Sequence, residues 1–158
     1  MSSRALHRVE PIRGRADCEP AAPGHAAAAA VKGTGAGLLV ERNGVRCAGA
    51  HLIVDLYGAR KLDDVDFIRS TLVECVEAAG ATLLHIYLHP FEPNGGISGV
   101  AVLAESHVSI HSWPEHGYAA VDVFMCGRTR PEACIEVLRR AFEPERIVVQ
   151  EILRGKTL

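Results

Sequence analysis

The chain has 158 residues, with 17 Lys and Arg against 19 Asp and Glu for a net charge of −2, which leaves room for one hydrophobic core and not for two. No run of basic residues stands out, so the electrostatic footprint of a nucleic-acid binder is absent. No apolar run reaches the ~20 residues of a membrane span, and the Ala run at 26–30 lacks the surroundings of a signal-peptide core, so no membrane partner and a cytoplasmic location are expected.

Residues 1–45 are rich in Ala, Gly, Pro and Arg without a sustained period; they can bury little and are expected as a disordered tail ahead of a single domain over 46–158. Order is predicted to begin near "AGAHLIVDLYGA", where His51 to Tyr57 has the apolar density of a strand and Gly58 ends it. In "LDDVDFIRSTLVECVEAAG", Val65, Ile68, Leu72, Val76 and Ala79 recur at helical spacing, with Asp63 or Asp64 as the cap and Gly80 as the stop.

Four strands follow. "ATLLHIYLHPF" turns through "EPNGG" into "ISGVAVLA", whose small residues suit close packing. "HVSIHSW" and "YAAVDVFMC" alternate polar and apolar on either side of a turn at Pro114 to Gly117. A second helix is predicted in "TRPEACIEVLRRAF", with Thr129 and Glu132 spaced as a capping box, and "RIVVQEIL" closes the chain as a strand. Strands joined by tight turns and interrupted by two helices predict an α+β fold, a two-layer sandwich of an antiparallel β-sheet with two helices packed on one face. No GxGxxG leads from a strand into a helix, which removes a dinucleotide site. The five cysteines, Cys18, Cys47, Cys75, Cys126 and Cys134, are odd in number and lack CxxC spacing, so reduced thiols are expected in place of a disulfide framework or zinc ribbon.

The passage "AESHVSIHSWPEHGYAAVDVFMCG" concentrates Ser106, His107, His111, Glu115 and Cys126 in one strand-turn-strand region. His107 and His111 share a strand face, but no third ligand is evident, so no metal is expected. A Ser-His-Asp set could draw on Ser106 or Ser109, His111 and Asp122, although no GxSxG elbow is present. Spacing alone marks an active-site region without fixing its chemistry.

The same passage, with "HPFEPNGGISGVAV" and "HLIVDLYGA" upstream, resembles the prokaryotic S-adenosylmethionine decarboxylase proenzymes, which are pyruvoyl enzymes; the resemblance spans about residues 48–155. It implies self-cleavage: the Ser106 hydroxyl attacks the carbonyl of Glu105, an ester replaces the peptide bond, and β-elimination leaves a pyruvoyl group at residue 106. It also implies that His111 is the processing base, Ser98 the processing hydroxyl and Cys126 the proton donor in turnover. The pyruvoyl carbonyl would form a Schiff base with S-adenosylmethionine and take up the electrons released with carbon dioxide, giving the aminopropyl donor for spermidine synthesis. Phe91, Trp113 and Glu115 match the substrate-binding positions, where aromatic faces suit adenine and a sulfonium and a carboxylate suits ribose. Relatives form homodimers with the site at the subunit interface, so a homodimer is expected. Some act on arginine or ornithine instead, and a pyruvoyl-dependent arginine or ornithine decarboxylase is the alternative. Residues 106 and 111 are an odd number apart, so an unbroken strand would aim them at opposite faces, and a bend or bulge at the Glu105–His107 junction is expected.

Overall fold

The structure, a computed structural model, describes residues 39–42, 44–104 and 106–156. A short ribbon, β1 (Val40–Arg42) and β2 (Val45–Cys47), opens the described chain. Regular backbone therefore starts inside the segment expected as a tail over 1–45, because Gly44, at a φ of 73°, supplies the left-handed residue of a tight turn. The rest of that expected tail lies outside the described residues.

The main sheet has six antiparallel strands. They are β3 (Gly49–Tyr57), β4 (Leu83–Pro90), β5 (Ile97–Leu103), β6 (His107–Trp113), β7 (Tyr118–Cys126) and β8 (Arg146–Arg154), in the order β4-β5-β6-β7-β3-β8. Helices α1 (Val65–Ala78) and α2 (Ala133–Phe142) pack on one face. The two-layer α+β sandwich is thus the observed architecture.

Alternation sets the layers. Along β3, Leu52, Val54 and Leu56 are buried against the helices, as are Ala119, Val121, Val123 and Met125 of β7 and Val108 and Ile110 of β6. Helix α1 answers with Ile68, Leu72 and Val76, and α2 with Val137, Leu138 and Phe142. The helix stripes and the strand alternation meet in one core.

Caps explain where α1 lies. Asp64 accepts a hydrogen bond from the Phe67 N–H at 2.9 Å, satisfying a donor that the first turn leaves open, and Gly80 at a φ of 71° ends the helix. The capping box predicted at Thr129 and Glu132 does not form. Helix α2 starts later, at Ala133, with no side-chain cap, because the Thr129 hydroxyl donates to the carbonyl of Cys126 at 2.7 Å and so serves the end of β7 instead.

Cys47, Cys75, Cys126 and Cys134 form no disulfide; Cys18 lies outside the described residues. Cys75 and Cys134 are buried where α1 meets α2. Each thiol donates to the other residue's backbone carbonyl, and the contact with the Cys134 side chain, followed by burial, pushes the Cys75 thiol far above its ordinary range. No helix among the described residues is long and apolar enough to cross a membrane.

Candidate active site

The helices cover only one side of the sheet. The other presents His51 and Asp55 of β3, His107, Ser109, His111 and Trp113 of β6, and Tyr118, Asp122, Phe124 and Cys126 of β7, together with Ser98 of β5. The chemistry-bearing residues of the sequence therefore share one uncovered face.

At one end, Ser106 sits in the β5–β6 turn. Its carbonyl accepts from the Leu103 N–H at 3.0 Å, and its Oγ accepts from the Cys126 N–H at 3.2 Å. Ser106 and Cys126 line a cavity of about 240 Å³ with Leu103, Ala104, Gly127 and Thr129. Close approach is built in: a Cβ on Gly49 would collide with the Met125 carbonyl and come within 3.1 Å of Cys126 Sγ, so only glycine lets β3 run this near.

The bend expected at the Glu105–His107 junction resolves without a bulge in β6. Ser106 precedes the strand, which runs in unbroken register from His107, paired with Phe124, to Trp113, paired with Tyr118. A register shift falls instead between Leu83 and His85. Strand parity does not govern Ser106, because it lies in the turn. Glu105 itself lies outside the described residues.

At the other end, Ser98 and His111 face each other across β5 and β6, with Ser98 Oγ 2.7 Å from His111 Nδ1. They line a second cavity of about 480 Å³ with Phe91, Asn94 and Trp113, a size suited to a small-molecule ligand. Phe91 is 47% and Trp113 39% exposed, so their ring faces are accessible. Glu115 lies in the Pro114–His116 turn and accepts from Asn94 Nδ2 at 3.3 Å. Tyr118 stacks near Trp113, with ring centres 5.3 Å apart. Its hydroxyl donates to Asp55 at 2.6 Å, a bond that, aided by burial, pushes the phenol pKa up to about 12.

The two ends are not within reach of each other in one chain. Five steps along the chain, four of them within β6, put Ser106 and His111 up to about 17 Å apart at ~3.4 Å a step. Ser106 is brought to Cys126, and Ser98 to His111, but the pairs do not meet.

Between them lies a polar cluster that joins Ser109 and Asp122 to His51 and Arg154, two residues that sequence spacing did not single out. His51 Nε2 is 3.1 Å from Asp122 Oδ1, Ser109 Oγ donates to Asp122 Oδ2 at 3.4 Å, and Arg154 reaches His51 Nδ1 at 3.4 Å. Asp122 is therefore committed to His51 and Ser109, and the Ser-His-Asp set with His111 is not assembled. Its only signal in the sequence is register, since Ser109 is opposite Asp122 in the ladder. No three His, Cys, Asp or Glu among the described residues are grouped to hold a metal ion.

His107 packs at this cluster against His51 and Phe124. Burial, and then the neighbouring His51, lower its pKa, partly opposed by Asp122. The folded chain thus binds this proton less readily than the unfolded one. Stability is full above the unfolded value of about 6.5 and is lost as the pH falls toward the lower folded value. In a Ser106→Ala background, the melting temperature should fall as the pH drops below about 6.5, and His107→Gln should flatten that fall; an unchanged slope would remove His107 as its source.

Comparison with known proteins gives this arrangement a family. The sequence profile described as S-adenosylmethionine decarboxylase matches residues 50–155. The S-adenosylmethionine decarboxylase proenzyme of Thermomicrobium roseum is 47% identical over 112 residues, covering 70% of this chain and 97% of that protein. That of Methanococcus vannielii is 49% identical over 110 residues, covering 68% and 89%. A crystal structure of the adenosylmethionine decarboxylase from Aquifex aeolicus superposes with a TM-score of 0.63 at 38% identity, covering 69% of this chain and 92% of that one. Fold and sequence together define a decarboxylase, an enzyme of the lyase class. The chain belongs to the S-adenosylmethionine decarboxylase family.

Proposed function

We propose that the chain is the precursor of a pyruvoyl-dependent S-adenosylmethionine decarboxylase that cleaves itself between Glu105 and Ser106 and works as a homodimer. The observation that carries this reading is the division of the site into two complementary halves, Ser106 with Cys126 at one end of the open face and Ser98 with His111 at the other.

Cleavage starts with the Ser106 oxygen. The N–H of Cys126 holds it without consuming its proton, so the hydroxyl can lose that proton while Oγ bonds to the Glu105 carbonyl carbon. The bond from that carbon to the nitrogen of residue 106 then breaks, and an ester forms. A base next takes the Cα proton of residue 106, and the Glu105 carboxylate leaves. Water replaces the nitrogen as ammonia, and a ketone is left at residue 106. His111 suits the base role when its Nδ1–H donates to Ser98 Oγ, since the Nε2 lone pair then stays available.

A pyruvoyl group at residue 106 supplies the electron sink that decarboxylation needs. Cys126, which lines the same cavity as residue 106, would return a proton to the carbon that loses carbon dioxide. Phe91 and Trp113 offer aromatic faces to the adenine and sulfonium, and Glu115 a carboxylate to the ribose.

Two copies unite the halves. The uncovered face carries exposed apolar side chains, with Tyr87 at 58% and Ile152 at 42%, as a sheet face that packs on another would. A two-fold axis through that face brings one chain's Ser106 end to its partner's His111 end, and the reverse, in one operation.

Intact-mass spectrometry tests the reading. Two fragments are expected, one ending at Glu105 and one beginning with a pyruvoyl group at 106, from an enzyme that releases carbon dioxide from S-adenosylmethionine. A single full-length mass after prolonged incubation would refute processing. Release from arginine or ornithine alone would refute the substrate and leave the processing intact.

A further inference from the structure

We propose that the β1–β2 ribbon, through Arg42, is a positioning element for the Ser106–Cys126 half of the site; this rests on the self-cleavage reading above. The ribbon precedes residue 50, where the family profile begins, so the match to the family leaves it unexplained. Its one long basic side chain reaching the domain is directed at the segment that follows Cys126.

Three hydrogen bonds connect Arg42 to the reacting hydroxyl. Arg42 Nη2 donates to the Thr129 carbonyl at 3.2 Å. The Thr129 hydroxyl donates to the Cys126 carbonyl at 2.7 Å. The Cys126 N–H donates to Ser106 Oγ at 3.2 Å. Gly127 and Thr129 also line the Ser106 cavity, so a shift of this segment moves both the cavity wall and the donor that holds the nucleophile.

Arg42 also meets Glu132 at 3.3 Å and Glu151 at 3.6 Å. Those carboxylates are 60% and 37% exposed, while the Arg42 side chain is only 21% exposed. Water screens such pairs, and they contribute little by themselves. Their effect is to orient the guanidinium, whose second nitrogen then serves the carbonyl, a two-pronged grip that suits arginine better than lysine. The segment needs such an anchor on this side, because the Thr129 hydroxyl is diverted to Cys126 and leaves α2 without a side-chain cap. On the other side, Arg130 is tied to the end of α1 through its N–H to the Ala79 carbonyl at 3.0 Å.

The test follows cleavage of the full-length chain by intact mass over time, with melting temperatures taken in the Ser106→Ala background. Arg42→Ala should slow cleavage about tenfold, the loss expected for one positioning contact, and lower kcat of the cleaved enzyme with KM unchanged. Arg42→Lys, which keeps the charge but has a single nitrogen to share, should fall between the two, about threefold slow at an unchanged melting temperature. If Arg42→Ala does not fold, Arg42→Lys decides. Wild-type cleavage and kcat in either folded variant would overturn the role of Arg42, whereas a wild-type chain that never cleaves would overturn the reading beneath it.

Discussion

Co-expression of Ser106→Ala chains with His111→Ala chains should yield cleaved His111→Ala chains, although neither variant cleaves appreciably alone. Ser106→Ala removes the attacking oxygen outright. His111→Ala removes the proposed base, a loss of about 10²–10⁴ in rate. Five chain steps separate the two positions, up to about 17 Å at strand rise, so in the proposed homodimer the base that serves Ser106 comes from the partner. In a mixed dimer, one site then combines the intact Ser106 of the His111→Ala chain with the intact His111 of its partner. The other site lacks both groups. Mass spectrometry of the mixture should show fragments bearing the His111→Ala substitution and none from the Ser106→Ala chain. Their absence from a mixture shown to contain mixed dimers would mean that His111 serves its own chain or not at all.

Cys126→Ala should separate processing from turnover. Cys126 holds Ser106 Oγ through its backbone N–H, which alanine retains, so cleavage should proceed near the wild-type rate. The thiol is the part assigned to reprotonation. Its loss should cut kcat by about 10²–10⁴, the usual span for a proton donor, with KM within a few-fold. Wild-type kcat in the fully cleaved variant would remove Cys126 from the proton-donor role.

The layers of the fold were legible because they rest on local periodicity. Val65 to Ala79 and the alternation through "HVSIHSW" and "YAAVDVFMC" each specify a face without reference to the rest of the chain. The start of the second helix was not legible, because a capping box is a spacing rule and the same Thr129 hydroxyl can serve the residue three before it just as well. For the site, the side chains could be named from the motif, but their grouping could not. That Ser98 meets His111 depends on the register of β5 against β6, and that Asp122 meets His51 depends on β3 lying against β7. Neither pairing is adjacent in sequence, and no local rule predicts it. The β1–β2 ribbon leaves no such signal, because strands of three residues are too short to show a period.

The strand order bears on what becomes of the chain once it is cut. A break between residues 105 and 106 opens the turn between β5 and β6, two neighbours in one sheet. The fragments do not fall on opposite sides of a seam. Strand β3 of the first lies between β7 and β8 of the second, with nine residue pairs on either side, while α1 packs on α2. The two products are interleaved, and neither keeps a complete core without the other. Cleavage would therefore change the covalent topology of the protein without creating two dissociable subunits, and the fragments should part only when the whole sandwich unfolds.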